Sequence, residues 1–123
     1  MPKKSQSARE ASLLPRFRIM SGADIALGPG KVELLALVHE TGSISEAAKQ
    51  MKMSYMRAWS LIQTMNVCFK KPIVETVRGG SERGGAKLTE SGRRALALYQ
   101  HMEESSAKAA QTDWQVFRKL LRD

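Results

Sequence analysis

The strongest structural signal in this 123-residue chain is Thr41-Gly-Ser-Ile-Ser-Glu-Ala-Ala-Lys-Gln-Met-Lys-Met-Ser-Tyr-Met-Arg-Ala-Trp-Ser60. Ser43-Ile-Ser-Glu46 has the form of a capping box, with a hydroxyl at the N-cap and a carboxylate three residues later. Lys52 and Met53 leave room only for a tight turn before Ser54, a favourable N-cap residue. Two helices joined by a tight turn are therefore predicted, an arrangement typical of a helix-turn-helix.

The apolar residues around this turn fit three packed helices. The inward-facing positions predicted for the second and third helices are Ile44, Ala47, Ala48, Met51, Ala58, Leu61, Ile62, Met65 and Phe69. Upstream, the spacing of Leu34, Leu35, Leu37 and Val38 predicts a first helix, which should end at Gly42. The third helix should run to about Lys70, because Pro72 cannot continue it.

Two β-hairpins are predicted on either side of these helices. Residues 16–20 alternate charged and apolar side chains, Ser21-Gly-Ala23 is a turn signal, and Asp24–Leu27 can return as a second strand. Farther along, Ile73–Arg78 is rich in β-branched residues. A glycine-rich loop, residues 79–85, then separates that strand from Ala86-Lys-Leu88, which is short enough to pair back. This order predicts a winged helix-turn-helix, mainly α within the α+β class.

Thr89 begins a final helix with a long apolar stripe. If the helix continues to Arg122 it is about 50 Å long, more than one small domain can cover. The stripe is therefore either core or a dimer seam, and its length favours the seam. We expect residues 1–15 to be a flexible basic tail, 16–88 a winged helix-turn-helix domain and 89–123 a dimerisation helix. The predicted dimer-interface residues are Leu98, Met102, Ala109, Trp114, Phe117 and Leu121.

The charge of the chain favours a polyanionic partner. Twenty Lys and Arg residues oppose twelve Asp and Glu residues, for a net charge of +8. Between Lys49 and Arg94 there are ten basic and three acidic residues, so most of the excess lies where the helix-turn-helix and wing are predicted. Double-stranded DNA is the polyanion that a helix-turn-helix binds, with its recognition helix in the major groove. In this chain the recognition helix is the third predicted helix.

The predicted contacts follow from that geometry. The N-terminal end of the third helix presents free backbone N–H groups, Arg57 can bond guanine in a bidentate manner, and the wing can reach the backbone or minor groove. Lys70 and Lys71 can reach flanking phosphates. The predicted DNA-binding residues are Ser43, Ser54, Tyr55, Met56, Arg57, Ser60, Arg78, Ser81, Arg83 and Lys87.

Residues 24–100 also resemble the N-terminal domain of the ModE-type molybdate-responsive transcription regulators, a winged-helix family related to the LysR-type regulators. The matching stretches are Leu27-Gly-Pro-Gly30, Thr41 to Lys49, Ser54-Tyr55 with Ala58-Trp59, Met65-Asn66, Val74-Glu75, Gly79-Gly80 with Gly84-Gly85, and Leu88-Thr89 with Gly92. The resemblance implies a homodimer assembled through these domains, with the last helix in the interface, and a palindromic DNA operator. The family's molybdate-binding modules have no counterpart up to Asp123, so neither molybdate binding nor any cofactor is expected here.

Other functions are less well supported. A protein-interaction or dimerisation module without DNA reading would be favoured by an acidic recognition surface, which this chain lacks. A nuclease needs clustered carboxylates to hold metal, and single-stranded DNA or RNA binding needs several exposed aromatics. The acidic residues here are scattered and the chain has seven aromatics, most at predicted core positions. We therefore expect no enzymatic activity.

The remaining reactive residues fit structural roles. His39 and His101 lack partners at metal-ligand spacing, and Trp59 is expected to brace the recognition helix rather than contact bases. Cys68 has no partner for an internal disulfide, which agrees with a reducing cytoplasm. No apolar run is long enough to cross a bilayer and the N-terminus lacks a signal-peptide pattern, so a soluble cytoplasmic protein is expected.

Overall fold

The computed structural model describes residues 10–77 and 85–122 of the chain. The chain divides into two compact units, Arg16–Gln100 and a smaller unit that combines residues before Arg16 with residues from His101 onward. The elements are β1 (Ile19–Ser21), β2 (Asp24–Leu27), α1 (Pro29–Thr41), α2 (Ile44–Gln50), α3 (Tyr55–Cys68), β3 (Val74–Thr76), β4 (Ala86–Leu88), α4 (Glu90–Ala109), α5 (Gln111–Phe117) and a 3-10 turn (Arg118–Leu120).

The strands β1 and β2 form the predicted N-terminal hairpin, and Gly22 occupies its turn with φ +63°. The first strand begins at Ile19, three residues later than expected. The reason is tertiary. The N–H of Phe17 donates to Tyr99 Oη (3.3 Å), and the Tyr99 hydroxyl donates to the carbonyl of Phe17 (2.7 Å). The backbone of Phe17 is therefore bonded to α4 rather than to a strand partner.

The helices α1, α2 and α3 pack around the main core. Every inward-facing position predicted for α2 and α3 is buried or packs against this core. The first helix ends as expected at Gly42, which takes φ +71° and donates its N–H to the carbonyl of Val38 (2.8 Å). The third helix ends at Cys68, two residues before the predicted end, because the backbone at Phe69 is already extended.

The strands β3 and β4 form the base of the predicted wing, and they pair Val74 with Leu88 and Thr76 with Ala86. The strand expected over residues 73–78 is shorter, and residues 78–84, which include all of the predicted loop except Gly85, lie outside the described ranges. The N–H of Ala86 donates to the carbonyl of Gly42 (3.0 Å), next to an isolated bridge between Ser43 and Gly85. The hairpin is therefore joined to the α1–α2 junction.

The C-terminal helix is interrupted, contrary to the continuous helix expected to Arg122. The first segment, α4, ends at Ala109, and Ala110 takes φ −89° and ψ −1° before α5 begins. A ψ near zero takes a residue out of the regular helical geometry. No Gly or Pro near Ala110 marks this break in the sequence. None of the helices in the described ranges is both long and apolar enough to cross a membrane.

Candidate nucleic-acid interface

Local hydrogen bonds set the turn that separates α2 from α3. Ser43 Oγ accepts the N–H of Glu46 (3.0 Å) at the start of α2, which confirms the predicted N-cap. At the other end, Met53 donates its N–H to Ala48 (3.0 Å) and Lys52 to Lys49 (3.1 Å), the pattern of a Schellman motif. This motif requires a left-handed residue, and Lys52 takes φ +58°. The turn is therefore completed within three residues.

The third helix starts immediately after this turn. Ser54 Oγ accepts the N–H of Arg57 (3.1 Å), so the hydroxyl of Ser54 caps the helix as predicted. The side chains of Tyr55, Met56, Arg57 and Ser60 are all exposed, whereas Ala58 is fully buried. The first two turns of α3 thus present four of the predicted DNA-contacting side chains to solvent, and the helix is held from its opposite side.

The exposed surface of α3 extends beyond the residues selected from the sequence. On a helix of 3.6 residues per turn, Met56, Ser60 and Val67 lie opposite the buried Ala58, Ile62 and Met65. Met56 is 68% exposed and Val67 is 83% exposed. Gln63 and Thr64 also lie on this outward side. Neither residue is in the predicted DNA-binding set, which is confined to the N-terminal part of α3, although the same helical periodicity extends to the later turns.

Asn66 joins α3 to the wing. Its Oδ1 accepts the N–H groups of Ile73 (2.8 Å) and Val74 (3.1 Å), and its Nδ2 donates to the carbonyl of Val74 (3.1 Å). Ile73 and Val74 are buried, so these bonds satisfy backbone groups that water does not reach. The sequence shows an amide side chain at this helix position, but it does not show that its partners are the backbone groups seven and eight residues later.

The wing base contributes one described candidate, Lys87. It is exposed and forms a salt bridge with Glu75 on the paired strand (3.6 Å), an exposed pair of small energetic value. The other predicted wing residues, Arg78, Ser81 and Arg83, lie outside the described ranges. Ser43 is half-buried and its backbone takes part in the bridge to Gly85, so its observed role is structural.

Trp59 is 39% exposed, and its expected role in bracing the recognition helix stays a prediction. The residues predicted for a dimer interface are largely uncovered in the single chain. Leu98, Met102, Phe117 and Leu121 are exposed, and Trp114 is half-buried and stacks on Phe117 with ring centroids 6.3 Å apart. The sixth predicted residue, Ala109, is also exposed.

The described residues include no group of three or more His, Cys, Asp or Glu side chains that could hold a metal ion. The candidate site therefore consists of a capped, exposed helix, a hairpin tied to its far end and basic side chains, an arrangement suited to binding a polyanion.

Residues 30–93 match the family described as "Bacterial regulatory helix-turn-helix protein, lysR family". This range runs from α1 through the wing to the first turn of α4, and it covers half of the chain.

Curated relatives are similar over a comparable region. The chain is 39% identical over 90 residues to the molybdenum transport protein ModE of Azotobacter vinelandii, covering 73% of this chain and 33% of that protein. It is 42% identical over 82 residues to the molybdenum-pterin-binding protein MopB of Rhodobacter capsulatus (67% and 30%). It is 38% identical over 81 residues to the DNA-binding transcriptional dual regulator ModE of Escherichia coli strain K12 (66% and 31%). The chain thus spans about a third of the length of these relatives.

Two solved structures show the same fold. The CbnR_DBD–DNA complex superposes with a TM-score of 0.54 at 17% identity, covering 71% of this chain and 94% of that one. VV2_1132, a LysR family transcriptional regulator, superposes with a TM-score of 0.50 at 20% identity, covering 69% and 27%. At these identities the likeness concerns the fold, and it confirms the predicted winged helix-turn-helix class.

Proposed function

The chain belongs to the lysR family of bacterial regulatory helix-turn-helix proteins, and from this premise we propose that it is a transcription regulator that binds double-stranded DNA at specific sequences. The family consists of regulatory proteins, in agreement with the expectation that the chain is not an enzyme.

The observation that carries the proposal is the exposed surface of the first two turns of α3. Ser54 caps the helix, and Tyr55, Met56, Arg57 and Ser60 extend from it into solvent while Ala58 anchors it to the core. A helix of this kind fits the major groove, where hydrogen-bond donors and acceptors distinguish all four base pairs. The basic residues of the helix-turn-helix and the wing would supply the affinity for the backbone.

The regulator acts as a homodimer in this proposal. Two recognition helices related by two-fold symmetry would enter successive major grooves about 34 Å apart, and the operator would be palindromic. The exposed apolar side chains of Leu98, Met102, Phe117, Leu120 and Leu121 support a protein partner for the C-terminal segment. A protein that acts on the bacterial chromosome would function in the cytoplasm.

Selection of bound duplexes from a random library, followed by sequencing, tests this function. The expected result is an enriched motif with two inverted half-sites separated by about one helical turn. If duplexes were bound but no motif were enriched, the proposal of sequence-specific binding would be wrong. A motif without two-fold symmetry would instead contradict the proposed dimeric arrangement, while sequence-specific DNA binding would still hold.

One observation favours a second candidate, a protein-interaction module. Met56 and Val67 place apolar side chains on the outward face of α3, where they could equally pack against a protein. Gel-shift experiments with genomic fragments separate the two functions. A chain that shifts no fragment at low salt would be a protein-binding module, because a net charge of +8 already favours non-specific DNA binding.

A further inference from the structure

A second cluster of basic side chains lies beside α3, in an open pocket of about 320 Å³. The pocket is formed by the N-terminal hairpin, the start of α1, the α2–α3 turn and the first turns of α3. Ile25 and Leu61 supply part of an apolar wall, and the basic residues that line the pocket are Arg18, Lys31 and Arg57. The described lining residues include no acidic side chain.

The positions of Arg18 and Lys31 are set by contacts within the hairpin region. A Cβ atom built on Gly28 would lie 3.7 Å from Arg18 Cγ, so the stem of this arginine passes over the glycine. Lys31 Nζ donates to the carbonyl of Ile25 (2.5 Å), which holds the ammonium beside the hairpin and leaves two of its three donors available.

The three cations have no anionic partner in the part of the chain that the structure describes. The salt bridges there join Lys49 to Glu46 and Lys87 to Glu75, and neither includes a residue of this pocket. Three positive charges around an apolar wall repel one another, and the wall strengthens their field because it has a low dielectric constant. The missing counterpart is therefore an anion.

The location of the pocket indicates which anion. A helix with its side chains is about 10–12 Å wide and the major groove is about 12 Å wide, so a helix in the groove has a phosphate backbone along each flank. On α3, Asn66 marks the flank that is joined to the wing, and Arg57 and Leu61 lie on the other flank. The wing and the pocket would thus face the two different strands of one groove.

We propose that Arg18, Lys31 and Arg57 bind a phosphate of the DNA backbone on the flank of α3 opposite the wing. The N-terminal hairpin thereby becomes part of the DNA interface, although it precedes the helix-turn-helix. This inference rests on the proposed function, and it adds to that function a second backbone contact with two residues, Arg18 and Lys31, that the predicted site did not contain.

The test compares Arg18→Ala and Lys31→Ala with Arg94→Ala, which removes the same charge from the outward face of α4. DNA affinity is measured by fluorescence anisotropy from about 50 to about 300 mM NaCl, on a library-selected duplex and on a scrambled duplex. We expect each pocket variant to bind both duplexes about tenfold more weakly, as for the loss of one charge-assisted contact. The slope of log affinity against log salt concentration should become smaller by about one. Arg94→Ala should change neither quantity appreciably.

Several results would overturn the inference. If the pocket variants bound DNA as tightly as Arg94→Ala, the proposed phosphate contact would be wrong. The proposed function would still stand as long as the wild-type chain bound the selected duplex. If the wild-type chain bound neither duplex, the function itself would fail first. A titration with inorganic phosphate, followed by the NMR chemical shift of the Lys31 amide, provides the last test. Saturable shifts together with unchanged DNA affinity in the variants would show that the pocket binds a free oxyanion rather than the DNA backbone. Arg18→Lys, which keeps the charge, should retain most of the affinity, and equal unfolding midpoints exclude misfolding.

Discussion

At the scale of single residues, Arg57 combines two roles that can be separated. It is exposed in the first turn of α3, where a guanidinium can read guanine, and it also lines the pocket with Arg18 and Lys31. We expect Arg57→Ala to weaken binding to a selected duplex by about 1–3 kcal/mol and binding to a scrambled duplex by less, because only base contacts depend on sequence. Competition titrations give both values, and equal losses would assign Arg57 to the backbone alone.

Asn66 offers a prediction about stability rather than recognition. Asn66→Ala removes three hydrogen bonds and leaves the buried N–H groups of Ile73 and Val74 without their acceptor. We expect a loss of about 2–4 kcal/mol in the free energy of unfolding, measured by urea denaturation. Gln63→Ala, on the same helix but outside this bonded group, is the control and should change stability by less than about 0.5 kcal/mol. Similar values for both variants would show that Asn66 does not hold the wing.

At the scale of secondary-structure elements, the start of α4 depends on a close approach. A Cβ atom on Gly92 would lie 2.0 Å from the carbonyl oxygen of Ile73, which is backbone and cannot rotate away. We therefore expect Gly92→Ala to destabilise the protein by about 2 kcal/mol or more, although alanine favours helices by about 1 kcal/mol.

Gly30→Ala is the matched control for this prediction. Gly30 lies in the first turn of α1, and a Cβ atom there would meet nothing within 4 Å. This variant should be neutral or more stable by up to about 1 kcal/mol, since only helix propensity changes. Thermal unfolding followed by circular dichroism measures both variants, and a Gly92→Ala protein as stable as Gly30→Ala would show that α4 can shift freely.

The elements also show where sequence patterns are sufficient. The end of α1 and the starts of α2 and α3 follow from caps that lie within a few residues, namely Gly42, Ser43 and Ser54. The start of β1 and the break at Ala110 were not anticipated. In the first case Tyr99 takes the backbone bonds of Phe17 from 82 residues away, and in the second no helix-breaking residue is present.

At the scale of the whole molecule, the testable feature is the homodimer. We expect the chain to sediment as a dimer, and we expect Leu98→Glu and Phe117→Glu to shift it towards monomer. Both side chains are more than half exposed in the single chain, so a charge there opposes association without disturbing the core. Gln100→Glu, an exposed position on α4, is the control for added negative charge. If Leu98→Glu and Phe117→Glu both remained dimeric, the dimer interface would have to lie elsewhere on the chain.

The resemblance to ModE-type regulators is confirmed by relatives that are 37–39% identical, such as the transcriptional regulator ModE of Haemophilus influenzae at 37%. The absence of molybdate binding in these residues stays a prediction. Isothermal titration with molybdate tests it, and saturable binding to this chain would contradict it.

The amino-acid sequence by itself determined the order of the elements, the helix-turn-helix and the basic character of its surroundings. Those features depend on interactions between residues close together in the chain, such as the hydroxyl caps at Ser43 and Ser54, the apolar periodicity and the local density of charge. Only the tertiary structure decided that Asn66 holds the wing and that Arg18 and Lys31 join Arg57 beside α3. These residues meet through the packing of separate elements, and a pattern with a period of two or 3.6 residues carries no record of which elements will touch.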